Sequence, residues 1–187
     1  MSQIEVHMKL CLIGDQAVGK TSLGHRFIDK KFPTGYKATI GVDLLSRTIN
    51  VPEGRFEVTL WDFSGQSLFS DVRKKFYKGA AGIIVVFDIA NRNSFDNIQN
   101  WWEEACLNVE SDAPIKAILL GNKSDLFNLR EVDDDTAQEW GMNNGLNYYL
   151  VSAKTGDKVE LAFLDLIRNI LKEKYDQFLT TPEEAEK

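Results

Sequence analysis

Short apolar runs alternate with segments of helical spacing along nearly the whole chain of 187 residues. Residues 9–13 form an apolar run that stops at Gly14, which predicts a strand. Residues 20–30 carry Leu23, Phe27 and Ile28 at helical spacing. Residues 41–50 and 55–61 predict paired strands, joined by a turn at 51–54 that contains Pro52 and Gly54. The continuous apolar runs 82–87 and 115–120 predict strands buried on both faces. Between them, 94–108 predicts a helix with Ser94 as its N-cap. Residues 135–141 predict a helix that stops near Gly145, and 146–151 a short strand. Residues 159–178 predict a long amphipathic helix with Leu161, Leu164, Ile167, Ile170 and Leu171 on one face.

This order predicts an α/β fold: a six-stranded, mostly parallel sheet with one antiparallel edge pair and helices on both faces. No repeat, low-complexity block or linker divides it, so residues 1–180 read as one domain with a short polar tail at 181–187. The net charge of −6 argues against binding a nucleic-acid polymer, which calls for a basic face. It does not favour an acidic membrane surface either. Residues 1–9 lack the apolar stretch of a signal peptide, and no run approaches the ~18 apolar residues of a membrane span. The two cysteines, Cys11 and Cys106, have neither CxxC nor metal-ligand spacing. They are expected to be reduced packing residues of a cytosolic protein.

In sheets of this kind ligands bind outside the carboxyl ends of the strands. After the first strand comes Gly14-Asp-Gln-Ala-Val-Gly-Lys-Thr21, which fits G-x-x-x-x-G-K-[ST] at every fixed position. Backbone N–H groups at a helix N-terminus make a concave anion site. Asp15, Gln16, Ala17, Val18, Gly19, Lys20, Thr21 and Ser22 are the nucleotide-binding candidates here. Lys20 adds a cation for the β and γ phosphates, and the Thr21 hydroxyl is a hard ligand for Mg²⁺. After the third strand, Asp62-Phe-Ser-Gly-Gln66 offers Asp62 to Mg²⁺, Gly65 for close approach to a γ-phosphate and Gln66 to orient an attacking water.

Gly121-Asn-Lys-Ser-Asp125 follows the second apolar run. A carboxylate accepts both the ring N–H and the exocyclic amine of guanine, a donor pair that adenine does not offer. Asp125 is therefore the expected specificity residue. The Lys123 stem is expected along the base, and Asn122 as a tie to the phosphate loop. After the last strand, Ser152-Ala-Lys154 offers the Ala153 N–H to the guanine carbonyl oxygen. The polar segment 32–43 suits a mobile loop, in which Thr39 gives a hydroxyl to Mg²⁺ and an N–H to the γ-phosphate.

Taken together, these motifs resemble the Ras superfamily of small GTPases, and within it the Rab family, over roughly residues 6–178. The segments Thr39-Ile-Gly-Val-Asp43, Phe76-Tyr-Lys-Gly-Ala80 and Val85-Val-Phe-Asp-Ile89 carry the Rab likeness. The resemblance implies a P-loop NTPase G domain, with Phe32 edge-on to guanine and Tyr36 over the phosphates. It implies an effector surface at Ile40, Leu44, Trp61 and Phe76. Ser67, Ser64 and Phe63 depart from the family pattern and are expected to alter the partner surface. Arg73, Lys74, Lys75 and Lys78 form a basic cluster, read as a solvated face or a site for an acidic partner.

The expected activity is slow, Mg²⁺-dependent hydrolysis of GTP to GDP and phosphate, with Lys20, Gln66 and the Thr39 carbonyl as the catalytic set. Gln16 stands where a glycine leaves most room. The resemblance implies effector, exchange-factor and GTPase-activating proteins as partners, and a monomeric switch in vesicle or membrane trafficking. One alternative is a nucleotide-locked scaffold without appreciable hydrolysis. Another is a nucleotide kinase, disfavoured because Arg92, Arg130 and Arg168 are the only arginines after residue 80. The last cysteine is Cys106, so no C-terminal cysteine is present to carry a lipid. Either the sequence is truncated or the protein does not anchor itself that way. The expected location is cytoplasmic, and peripheral on intracellular membranes if the native C-terminus is longer.

Overall fold

The computed structural model describes residues 4–33, 35, 39–51, 54–65, 70–110 and 114–179. In chain order these hold β1 (Ile4–Ile13), α1 (Lys20–Asp29), β2 (Val42–Val51), β3 (Gly54–Phe63), α2 (Ser70–Phe76) and β4 (Gly82–Asp88). They continue with α3 (Arg92–Asp96), α4 (Ile98–Asn108), β5 (Lys116–Asn122), a 3-10 turn (Ser124–Leu129), α5 (Asp134–Asn143), β6 (Asn147–Leu150) and α6 (Val159–Leu179). Among the described residues the strands make one six-stranded sheet in the order β2-β3-β1-β4-β5-β6. Only the β2–β3 pair is antiparallel, with Leu44 opposite Trp61; the other pairs are parallel. This is the sheet that the alternating pattern predicts. Pro52, placed in the hairpin turn, and the tail from 181 lie outside the described residues.

β1 begins at Ile4 rather than at residue 9 because it pairs with β3 along its whole length, from Ile4 opposite Gly54 to Leu12 opposite Asp62. Its first half alternates polar with apolar positions, so a search for continuous apolar runs misses it. β4 is buried at every position, as a strand covered on both faces must be. One core layer packs α1 and α6 against the sheet, with the Phe27 and Phe163 rings stacked 4.5 Å apart. The other includes Tyr77, Phe95, Ile98, Trp101 and Ala137, which places α3, α4 and α5 on the opposite face.

The single helix predicted over 94–108 is two helices, broken at Asn97, and Ser94 is not a cap. Asn91 caps α3, and its side chain accepts from the Ser94 N–H. The buried Ser94 hydroxyl instead donates to the Asn91 carbonyl at 2.7 Å and accepts from the Asp88 N–H at 3.0 Å. It therefore clips the end of β4 to α3. Of the cysteines, Cys11 is buried, and burial pushes its thiol up to about 12. Cys106 is exposed on α4, so it is not the packing residue expected of it.

Phe163 contributes its whole ring to the α1–α6 layer and is fully buried. Phe163→Ala should cost about 3–5 kcal/mol, measured by urea unfolding, through lost burial and the cavity left against Phe27.

Candidate functional site

β1 lies in the middle of the sheet, with β3 on one side and β4 on the other, so the chain's direction of winding reverses there. A crevice opens at such a point, outside the carboxyl ends of the parallel strands. It is a cavity of about 1120 Å³. The phosphate loop lines one part of it with Gln16, Ala17, Gly19, Lys20, Thr21 and Ser22. Asn122, Lys123, Asp125, Ala153 and Lys154 line another part, and Phe32, Thr39, Ile40 and Gly65 border it as well.

The loop's shape follows from its backbone. Gly19 caps α1 at φ +97°, and a Cβ there would stand 2.3 Å from Asn122 Nδ2. Glycine is required on both counts. No side chain caps α1 and its first turn holds no acidic residue, so its leading N–H groups and dipole face an incoming anion. Lys20 is buried, and its ammonium donates to the Gly14 and Asp15 carbonyls at 2.8 and 2.7 Å. Burial lowers its pKa to about 8, opposed by the Asp62 and Asp15 carboxylates. Phosphate charge beside such an ammonium strengthens its protonated form.

Three oxygens converge beside it. Thr21 Oγ1 lies 2.9 Å from Thr39 Oγ1 and donates to Asp62 Oδ2, to which Thr39 also donates at 3.4 Å. Asp62 Oδ1 is buried without a hydrogen-bond partner, and burial raises the carboxyl's pKa against the pull of Thr21 and Lys20. Two hydroxyls and a carboxylate with an unsatisfied oxygen suit a hard cation such as Mg²⁺. They are too few for an all-protein cage, so phosphate oxygens and water must complete the shell. Gly65 packs on the phosphate loop itself: a Cβ there would stand 2.3 Å from the Gln16 nitrogen. Its close approach is thus to the loop. Gln66 and Tyr36, assigned from sequence to catalysis and to the phosphates, lie outside the described residues, as does Ser67.

At the other end, the Ser152 hydroxyl donates to Asp125 Oδ1 at 2.7 Å, and Lys154 Nζ stands 3.7 Å from Oδ2. Asn122 ties the ends together, as expected: its Nδ2 donates to the Val18 carbonyl at 2.8 Å. Its Oδ1 accepts from the Ala153 N–H at 3.1 Å, so the N–H expected to reach a guanine carbonyl is engaged by Asn122. The Asp15 carboxylate faces Asn97 and Trp101 and does not line the large cavity.

Two residues without a role in the sequence reading hold the base end. Asp88, at the end of β4, pairs with Lys123 Nζ at 2.6 Å and fixes that stem. Its signal was an acidic residue closing a wholly apolar strand. Arg26, on α1, donates to the Ala153 carbonyl at 2.8 Å and to the Lys154 carbonyl at 2.7 Å. These partners are 127 and 128 positions away, and no local pattern announces them.

Of the residues expected to meet effectors, Leu44 on β2 stands opposite Trp61 on β3. Ile40 and Leu44 are exposed, and half-buried Trp61 lies 5.4 Å from Phe76. Phe63 and Ser64, which depart from the family pattern, are both buried, Phe63 with its ring 6.5 Å from that of Phe76. The basic cluster is a solvated face at three of its four positions. Arg73 is buried and ion-paired with Glu104 at 2.6 Å, whereas Lys74, Lys75 and Lys78 are exposed, Lys78 in a pair with Glu110.

A sequence model of the Ras family matches residues 9–172. The chain is 37% identical over 181 residues to Ras-related protein Rab7 of Cenchrus ciliaris, an alignment covering 94% of this chain and 88% of that protein. It is 39% identical over 163 residues to Ras-related protein Rab-13 of Canis lupus familiaris, covering 87% and 79%. Ras-related protein Rab-8B of Homo sapiens is likewise 39% identical over 163 residues, covering 87% and 78%.

Asp125→Asn removes one acceptor and the charge from the base end. GDP should bind at least about tenfold more weakly while ADP gains nothing comparable, read by competition titration. Arg26→Ala frees the Ala153 and Lys154 carbonyls, and GDP release should quicken about three- to tenfold, as for one or two lost hydrogen bonds.

Proposed function

The chain belongs to the Ras family, among its Rab-like members, and on that premise we propose that it is a molecular switch that binds GTP, hydrolyses it and releases its contacts when GDP remains. One observation carries the reading. A single cavity has an anion-binding loop at one end and an oriented carboxylate at the other, joined by Asn122. A guanine nucleotide matches both ends, since phosphates need the N–H groups of the loop and guanine supplies two donors to Asp125.

The protein's share of the chemistry is positioning and electrostatics. The α1 N-terminus and Lys20 stabilise negative charge on the β and γ phosphates, and Gln66 with the Thr39 carbonyl orients the attacking water. Thr21, Thr39 and Asp62 would hold Mg²⁺, which when bound neutralises charge on the phosphate oxygens. Thr39 also gives its N–H to the γ-phosphate, so its order depends on the triphosphate, and with it the presentation of Ile40 and Leu44 to effectors. Exchange factors and GTPase-activating proteins complete the cycle. The Rab names of the relatives support a role in vesicle or membrane trafficking. No helix among the described residues is long and apolar enough to cross a membrane. We read residues 1–180 as the G domain.

Single-turnover hydrolysis of bound GTP tests this. The wild-type chain should release phosphate slowly, and Gln66→Leu should slow it by about tenfold or more. Equal rates would remove Gln66 from the mechanism. GTP bound without any phosphate release would leave the nucleotide-locked scaffold as the function.

A further inference from the structure

The phosphate loop carries an anion of its own. Asp15 is turned away from the large cavity, toward a smaller cleft of about 230 Å³ between the loop and α4. Two donors hold it there: Trp101 Nε1 at 2.7 Å on Oδ1 and Asn97 Nδ2 at 2.8 Å on Oδ2. The indole is itself fixed. Trp101 is almost fully buried, and the Arg73 guanidinium lies 4.2 Å from its ring centroid. Arg73 is in turn forked on Glu104, at 2.6 and 2.9 Å, one helical turn beyond Trp101. Tyr77 donates to the same carboxylate at 3.0 Å.

The Asp15 backbone is also committed. Its carbonyl accepts from Lys20 Nζ at 2.7 Å, and the Asp15–Gln16 peptide is the surface on which Gly65 packs. With the backbone fixed, a turn of the Asp15 side chain about its own torsions would bring negative charge toward a site built for phosphate. We propose that Trp101 is a positioning residue for nucleotide binding: with Asn97 it holds the Asp15 carboxylate on the α4 side of the phosphate loop, away from the nucleotide. The inference rests on the reading that the cavity binds guanine nucleotide. It adds a dependence of nucleotide retention on a helix that does not line that cavity. Because Arg73 on α2 buttresses the same indole, the helix following Gln66 shares its support with the phosphate loop.

The test measures release of tritiated GDP from the full chain in excess unlabelled GDP and Mg²⁺. Trp101→Phe keeps a ring under Arg73 and deletes the N–H donor together with part of the indole's volume, and the Asp15→Asn background separates the two effects. Release should quicken about tenfold, the size of one charge-assisted hydrogen bond. In an Asp15→Asn background, which has no charge to restrain, the same substitution should change release less than about twofold. If Trp101→Phe does not fold, Asn97→Ala serves. Asn97 is exposed and makes no side-chain cap bond to α4, and its effect should likewise vanish with Asp15→Asn. Unchanged release in the single variants, or an equal acceleration in the Asp15→Asn background, would overturn the inference while GDP binding by the wild-type chain stands. A wild-type chain that retains no GDP would overturn the nucleotide reading itself.

Discussion

The Asn122 amide spends both of its ends inside the protein, one on the phosphate loop and one on the loop after β6. It sits at the last position of β5, almost fully buried, where a polar side chain is tolerated only when its hydrogen bonds are met. Meeting them brings three loops, distant in sequence, to one place. Gly19 approaches this amide so closely that no larger residue fits, and Ala153 is held by its backbone. The cavity between these loops owes its shape to that one side chain more than to any other residue lining it. The remaining contacts refine it: Arg26 clamps the outer loop, Asp88 fixes the Lys123 stem, and Ser152 aims Asp125.

Charge is arranged locally, against the overall balance. An acidic protein keeps a buried lysine at the heart of an anion site, because backbone dipoles and a converging α1 N-terminus outweigh distant surface carboxylates that water screens. The acidic groups near the site are each restrained. Asp62 is held by two threonines, Asp88 by Lys123, and Asp15 by Trp101 and Asn97. The Arg73–Glu104 pair extends this network to α2 through Trp101, so the support of the phosphate loop reaches the segment that follows β3.

Strands covered on both faces left an unmistakable trace in the chain, because burial admits only apolar residues there, and β4 and β5 are found where continuous runs predict them. The phosphate loop was equally plain, since a positive φ at Gly19 and a lysine facing phosphate leave few alternatives at those positions. Local errors have local causes. The break at Asn97 was hidden because α3 and α4 present one continuous amphipathic spacing, and the cap at Asn91 competes with Ser94 three residues on. The short helix α2 escaped because few apolar positions mark it.

Residue pattern alone is enough for the order of the strands, the mostly parallel sheet, the phosphate loop and the identity of the groups available to phosphate, cation and base. These depend on near neighbours: periodicity, glycine, and chemistry within a motif. Which way those groups face was set by the packed fold. It turned Asp15 toward α4, engaged the Ala153 N–H with Asn122, buried Arg73 within an apparent surface cluster, and recruited Arg26 and Asp88 to the base end. Each of those outcomes pairs a side chain with a partner far along the chain. A buried polar group must find its partner wherever the fold brings one, and no local pattern records which one that will be.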